Sequence, residues 1–270
     1  MRKTLPKILL CVAFVAMAGS CSKDALRTYD AQQQLNAVEN VNDPFLLSSI
    51  IKNTTLFYQD LGWANTKLPG AVQYTERNFQ GGDNYYAGFK PPADDLYSAV
   101  NILKLVDGAI GLAKERGSKT HQGIFQTFRV LLFSFMTDFY GDIYYSEALK
   151  GRDGILYPKY DKQADIYAGL LTELDQANTL ISTGTEPISD IYDLMYGGDK
   201  VKWQKFCNSL KLRLLLRASA KISDAGTQMS AILNDPAGHP IFTDNGDNAA
   251  MAYIGTSGAN SWTGGRLNWD

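Results

Sequence analysis

Histidine is nearly missing from this 270-residue sequence, which holds only His121 and His239. His121 falls where a helix starts and reads as a capping or solvated residue, and His239 precedes Pro240 in a loop. No nucleophile elbow, phosphate loop or zinc-ligand spacing accompanies them, so the groups that carry acid-base, nucleophilic or metal chemistry are not assembled. The chain is therefore expected not to be an enzyme and to need no cofactor. Cysteine is almost as scarce, with Cys11, Cys21 and Cys207. Cys11 sits in the N-terminal apolar run and Cys21 just after it, which leaves Cys207 on an apolar helix face and excludes a disulfide framework within one chain. Charge of one sign is also lacking: 26 Lys and Arg stand against 28 Asp and Glu. Without a basic stripe or basic residues interleaved with aromatics, nucleic acid is excluded as a partner.

The apolar run at residues 8–18 is shorter than the roughly 20 residues that span a bilayer. Arg2, Lys3 and Lys7 precede it and Gly19, Ser20 and Cys21 follow, the layout of a secretory signal. Small residues directly before a cysteine resemble the bacterial lipobox, so residues 1–20 are expected to be a lipoprotein signal peptide and Cys21 the lipidated first residue of the mature chain. Several acyl chains anchor stably where one binds only marginally. Residues 21–42 are polar, with Gln32, Gln33 and Gln34 in a row, and read as a tether between lipid and domain.

Beyond the tether, periods of three and four predict helices. Asp43 and Pro44 open the first, since proline is tolerated in a first turn. Leu96, Ala99, Leu103, Val106 and Ile110 share one side of a second over residues 95–114. The third, over 120–139, carries Ile124, Phe128, Leu131, Phe135 and Phe139 on one stripe, widened by Phe125, Leu132 and Met136, so neighbours must bury it from more than one side. Gly141 is placed to end it in a left-handed conformation. Asp138 and Asp142 read as residues that satisfy free backbone groups at the helix end and turn.

Asp161 is placed to cap a fourth helix with Ile166, Tyr167, Leu170, Leu171, Leu174, Ala177 and Ile181 inward, and with Glu173 and Asp175 on its solvated flank. A fifth begins near Asp199. Its Trp203, Phe206, Cys207, Leu210 and Leu214 share a face, and Lys211, Arg213 and Arg217 interrupt the apolar surface, so they must snorkel to water or pair with carboxylates, of which buried pairing is expected. The fold class is all-α.

Residues 62–93 break this periodicity and concentrate Trp63, Tyr74, Phe79, Tyr85, Tyr86 and Phe89 among glycines and polar residues. A loop this long is usually functional or disordered, and its aromatics argue against disorder. Two readings stand: the aromatics cover the helices beneath, or they form a platform on which sugar rings stack their C–H faces. On the second reading Trp63, Tyr74, Tyr85 and Tyr86 are the candidate ligand contacts. In the last part of the chain, residues 244–248 (Asp-Asn-Gly-Asp-Asn) lack the glycine position of a calcium loop and read as Asx-turns. Met251, Tyr253, Ile254 and Trp262 are apolar residues in search of a surface.

Three blocks carry a resemblance to a known family. They are Thr137-Asp138-Phe139-Tyr140-Gly141-Asp142-Ile143-Tyr144-Tyr145-Ser146-Glu147-Ala148; Pro158-Lys159-Tyr160-Asp161 leading into Leu174-Asp175-Gln176-Ala177; and Gly198-Asp199-Lys200-Val201-Lys202-Trp203-Gln204-Lys205-Phe206 continuing through Asn208-Ser209-Leu210-Lys211-Leu212-Arg213. In this order they resemble the SusD/RagB-like outer-membrane nutrient-binding lipoproteins of the Bacteroidota, within them the SusD-like group, with Tyr144 in place of the usual proline and Cys207 in place of the usual alanine.

The resemblance implies a helical-repeat scaffold of tetratricopeptide-like helix pairs with long irregular loops over residues 43–270. No clean period of about 34 residues shows this by itself. It also implies a surface-exposed, lipid-anchored outer-membrane protein that binds a nutrient, most simply an oligosaccharide, and delivers it to a SusC-type TonB-dependent transporter. A peptide ligand, which some relatives handle, and a protein-interaction scaffold are the alternatives. Family members continue well past the equivalent of Asp270, so the domain is expected to be incomplete at its C-terminus.

Overall fold

The structure is a computed structural model and describes residues 42–62 and 93–252. Cys21, Trp63, Tyr74, Tyr85 and Tyr86 lie outside the described residues, as do the signal peptide, the tether up to Val41, and Tyr253, Ile254 and Trp262. The described residues form α-helices α1 (Asp43–Gly62), α2 (Ala93–Glu115), α3 (Lys119–Tyr140), α4 (Gln163–Thr183), α5 (Lys200–Arg217) and α6 (Ala225–Leu233), with 3₁₀ turns at Lys150–Asp153 and Asn245–Asp247. The expected all-α class holds. Among the described residues, no helix is long and apolar enough to cross a membrane.

Successive helices pack on one another, and α3 also meets α1 and α5. That arrangement follows from its composition. Ile124, Phe125, Val130, Leu132, Phe133 and Met136 are fully buried and point around most of the helix circumference, so a single neighbour could not cover them. Each contributes roughly 1.5–3 kcal/mol by leaving water. Opposite, α5 brings Trp203, whose ring meets Phe128 edge-on at 5.7 Å and Tyr196 at 5.0 Å. The approach of α3 to α4 needs glycine at 123, because a Cβ there would lie 2.7 Å from the Ala177 carbonyl oxygen and 2.8 Å from Ile181 Cγ1.

α5 begins at Lys200, next to Asp199 as expected, and Asp199 caps it by accepting from the Val201 and Lys202 N–H groups. Asp161 does not cap α4. Its N–H instead donates to the Ile143 carbonyl at 2.8 Å, and its carboxylate accepts from the Tyr145 and Ser146 N–H groups and the Ser146 hydroxyl. The cap comes from Asp142, which accepts from Gln163 N at 3.0 Å. A residue two positions before the helix is the candidate by spacing, yet the loop folds back and places a carboxylate 21 residues earlier at that helix end. Gly141 ends α3 with positive φ (74°), though its ψ of −120° is outside the left-handed helical region expected for it.

The start of α3 is also served from a distance. Glu186 Oε2 accepts from Thr120 N at 3.0 Å and from the Thr120 hydroxyl at 2.9 Å. His121 is not solvated: it is buried, its Nδ1 lies 2.9 Å from Ser118 Oγ, and burial pushes its pKa down.

The bond from Thr120 N holds the Glu186 carboxyl down at about 2, against 4.5 for an ordinary glutamate. A depressed carboxylate pKa adds stability above the unfolded value that is lost as pH falls through the folded one. Relative to Glu186→Gln, the wild type should hold its full advantage above pH 4.5 and lose it as the pH approaches about 2. Urea midpoints of both proteins across that window measure this; a pH-independent difference would mean that the charge of Glu186 contributes nothing.

Candidate functional site

The turn from Asp138 to Asp161 carries the acidic and aromatic residues of the first resemblance block, and the structure gives Asp138, Asp142, Glu147 and Asp161 structural partners. Asp138 accepts from the Tyr167 hydroxyl at 2.6 Å and pairs with Arg217 Nε at 2.8 Å, so it bonds side chains on α4 and α5 and not the free backbone groups at its own helix end. Asp142 caps α4 and pairs with Lys162 at 2.7 Å. Glu147 accepts from Lys159 N at 3.0 Å. No two of them are left to share a proton or a metal ion. This block joins α3, α4 and α5, and its carboxylates act as fasteners.

Behind the turn lies a polar cluster inside an apolar wall. Arg129 of α3 points between α2 and α4, where it pairs with Glu173, and its Nε sits 3.8 Å from Asp107. Glu173 therefore is not on a solvated flank: its side chain is 18% exposed and also accepts from the Tyr145 hydroxyl at 2.5 Å. The guanidinium lies over the Phe133 ring at 4.8 Å and the Tyr145 ring at 5.3 Å. Burial works against its charge, but Glu173 outweighs burial and holds the Arg129 pKa above its ordinary value. Burial likewise pushes the Asp107 carboxyl up, with Arg129 pulling the other way. Gly169 lets Tyr145 reach this cluster, since a Cβ there would meet its ring at 2.6 Å.

Asp107 also opens onto the surface, where it lines a cleft of about 600 Å³ between α2 and the segment 149–158. Lys104 and Gly108 complete the α2 side; Leu149, Lys150, Arg152, Ile155 and Pro158 form most of the other. That volume lies within the range of small-molecule sites. Leu149 has φ 61° and ψ 10°, the left-handed conformation that costs a side-chain-bearing residue roughly 1–2 kcal/mol. Among the described residues it is the only non-glycine with positive φ. Beside the cleft, Leu156, Tyr157 and Tyr160 are largely exposed, and Tyr160 meets the Tyr144 ring at 6.2 Å.

Periodicity marked none of the cleft. Arg129 passes in sequence as one polar residue on an apolar helix, and Lys150 and Arg152 as ordinary loop charges. Asp107 and Glu173, on separate helices, meet only through Arg129. The pairing expected for α5 is present for Lys211, which reaches Asp175 at 2.5 Å, and for Arg217, while Arg213 is exposed. Cys207 is buried as expected, and burial pushes its thiol up to about 12. Asp244 forms the expected Asx-turn by accepting from Gly246 N at 2.6 Å. Asp247 is buried and holds Lys205 at 2.9 Å.

Comparison with known proteins bears on what this scaffold belongs to. A SusD-like family model, described as starch-binding associating with outer membrane, matches residues 35–269. The chain belongs to this SusD-like family. Among solved structures it is similar to an outer membrane protein of Bacteroides vulgatus whose description points to nutrient binding, at 26% identity and TM-score 0.64 over 80% of this chain and 45% of that one. It is similar to a chitin-binding protein at 27% identity and TM-score 0.63, over 79% of this chain and 46% of the other. A SusD homologue of Bacteroides fragilis shares the fold at 23% identity and TM-score 0.65, over 81% and 45%. The chain thus spans less than half the length of these SusD-like structures. No curated protein matches it. The SusD-like neighbours have the helical, tetratricopeptide-like scaffold that the resemblance implied.

Within the SusD-like scaffold, Arg129 is predicted to be the costliest polar residue to lose. Arg129→Met would leave the half-buried Glu173 without its cation, and stranding a partly desolvated charge in this way costs about 1–3 kcal/mol. Arg129→Lys should recover only part, because an ammonium cannot bond and stack in the same way. Chemical denaturation of the three proteins measures this. A Met variant as stable as wild type would show that the cluster does not hold the helices together.

Proposed function

We propose that this chain is a lipid-anchored, surface-exposed outer-membrane protein that binds an oligosaccharide and passes it, chemically unchanged, to a SusC-type TonB-dependent transporter. The observation that carries this reading is the family match over residues 35–269, whose description is starch-binding associating with outer membrane. The chitin-binding protein among the similar structures supports a glycan ligand. The employment of the carboxylates at the aromatic turn in structural bonds supports binding over catalysis.

On this reading Trp63, Tyr74, Tyr85 and Tyr86 supply stacking faces to the sugar. Aromatic contacts of this kind contribute about 0.5–1.5 kcal/mol beyond burial, so each alanine variant should bind roughly two- to tenfold more weakly. Calorimetry with starch- and chitin-derived oligosaccharides is the measurement, and unchanged affinity in all four variants would remove this segment from the site. Transport itself is tested by co-purification with the transporter.

Cys21 is the proposed anchor. Cys21→Ala should move the protein from the membrane fraction to the soluble fraction and abolish labelling by a radioactive fatty acid. Equal labelling of wild type and variant would refute lipidation at this residue.

A further inference from the structure

The lining of the cleft between α2 and segment 149–158 carries more cations than carboxylates. Lys104, Lys150 and Arg152 line it against a single lining carboxylate, Asp107. Asp107 already has Arg129 Nε 3.8 Å away. Among the described residues none of the three cations forms an ion pair; Lys104 reaches only the neutral Asn101 Oδ1, at 3.4 Å. Asp153, in the same turn as Lys150 and Arg152, offsets part of the excess. All three cations are exposed to water, which moderates their repulsion, but like charges facing one concavity reinforce one another's field there and attract an anion. The turn that carries Lys150 and Arg152 is also the one entered through the left-handed Leu149, and such conformations cluster at binding sites. Leu149, Ile155 and Pro158 add apolar surface beside the charges.

We infer that this cleft binds an anionic group carried on a sugar, a uronate carboxylate or a sulfate ester, with Lys150 and Arg152 as its principal partners and the sugar ring against Leu149, Ile155 and Pro158. Arginine bonds either group through two parallel N–H donors, and lysine adds a point charge. The inference rests on the nutrient reading for the sugar and on the cleft alone for the anion.

The test is calorimetry on the full chain in detergent, with a neutral oligosaccharide, its glucuronate-bearing counterpart and its sulfated counterpart, at low and high salt. At low salt at least one anionic form should bind about tenfold or more tightly than the neutral one, and the preference should shrink at high salt. Which form gains identifies the group. The double variant Lys150→Glu, Arg152→Glu, with a melting transition like that of wild type, should bring the ratio of anionic to neutral affinity to about one. A second double variant, Lys150→Gln and Arg152→Gln, serves if the first does not fold. No preference in wild type, or a preference that survives in the variant, overturns the inference. Free glucuronate and inorganic sulfate separate the two readings. If no oligosaccharide binds, the nutrient reading fails, and the cleft is upheld by anion binding that the variant loses and overturned by its absence.

Discussion

Burial of α3 on nearly every side is the constraint from which the rest of the structure follows. A helix with Phe125, Phe128, Phe133, Leu132 and Met136 spread around its circumference has no solvated face to offer, so α1, α2, α4 and α5 must all reach it. The chain meets that demand with antiparallel neighbours joined by turns, and the turns then have to fit between helices already in contact. Gly123 allows α3 and α4 to come close, and Gly169 allows Tyr145 to lie against α4. A larger side chain at either position would separate surfaces whose apolar burial supplies most of the stability.

Close packing of this kind leaves polar groups in difficult places, and the structure resolves them through long-range bonds. Asp193 is buried in the connection between α4 and α5, where it accepts from the N–H groups of Met195, Tyr196 and Gly198 and from Trp203 Nε1 at 2.8 Å. One carboxylate thus orders a loop without regular structure and fixes the largest side chain of the core. Asp142 and Glu186 do the same for the N-termini of α4 and α3. At the helix starts such bonds satisfy N–H groups that a first turn leaves without intrahelical partners, and the buried Asp193, if lost, would leave its donors carrying the full desolvation cost.

The helices were legible because their signal is local. Steps of three and four reveal a face within a few residues, and Asp199 caps its own helix from the adjacent position. What was not legible has sequence separation in common. Asp161 stands beside α4 and Asp142 lies 21 residues before it, yet the second makes the cap. Glu173 has the spacing of a solvated residue on α4, and only the position of Arg129 on α3 turns it inward. The cleft is of the same kind, since Lys104 and Asp107 belong to α2 and Lys150 and Arg152 to a turn some forty residues later. The three-block resemblance carried the fold because its residues are the fasteners between helices. For that reason it says little about which ligand is held.

This division of labour places recognition where the scaffold is least constrained. Residues that join helices cannot vary without opening the core, whereas loops and helix faces turned to solvent can change chemistry at little cost in stability. α2 connects the two regimes. One side carries Ala99, Leu103 and Val106 into the core; the other presents Lys104 and Asp107 to the cleft, and its first residue, Ala93, is the last of the aromatic segment 62–93. Asp107 lies in the cleft wall and also within reach of Arg129, so charge brought into the cleft acts on the cation that pairs with Glu173 and stacks on Tyr145. An anion beside Lys150 and Arg152 would offset their repulsion and relieve the pull that Lys150 exerts on Asp107. Occupancy of the cleft would then be felt at the junction of α2, α3 and α4, where a half-buried ionic cluster sits amid apolar contacts.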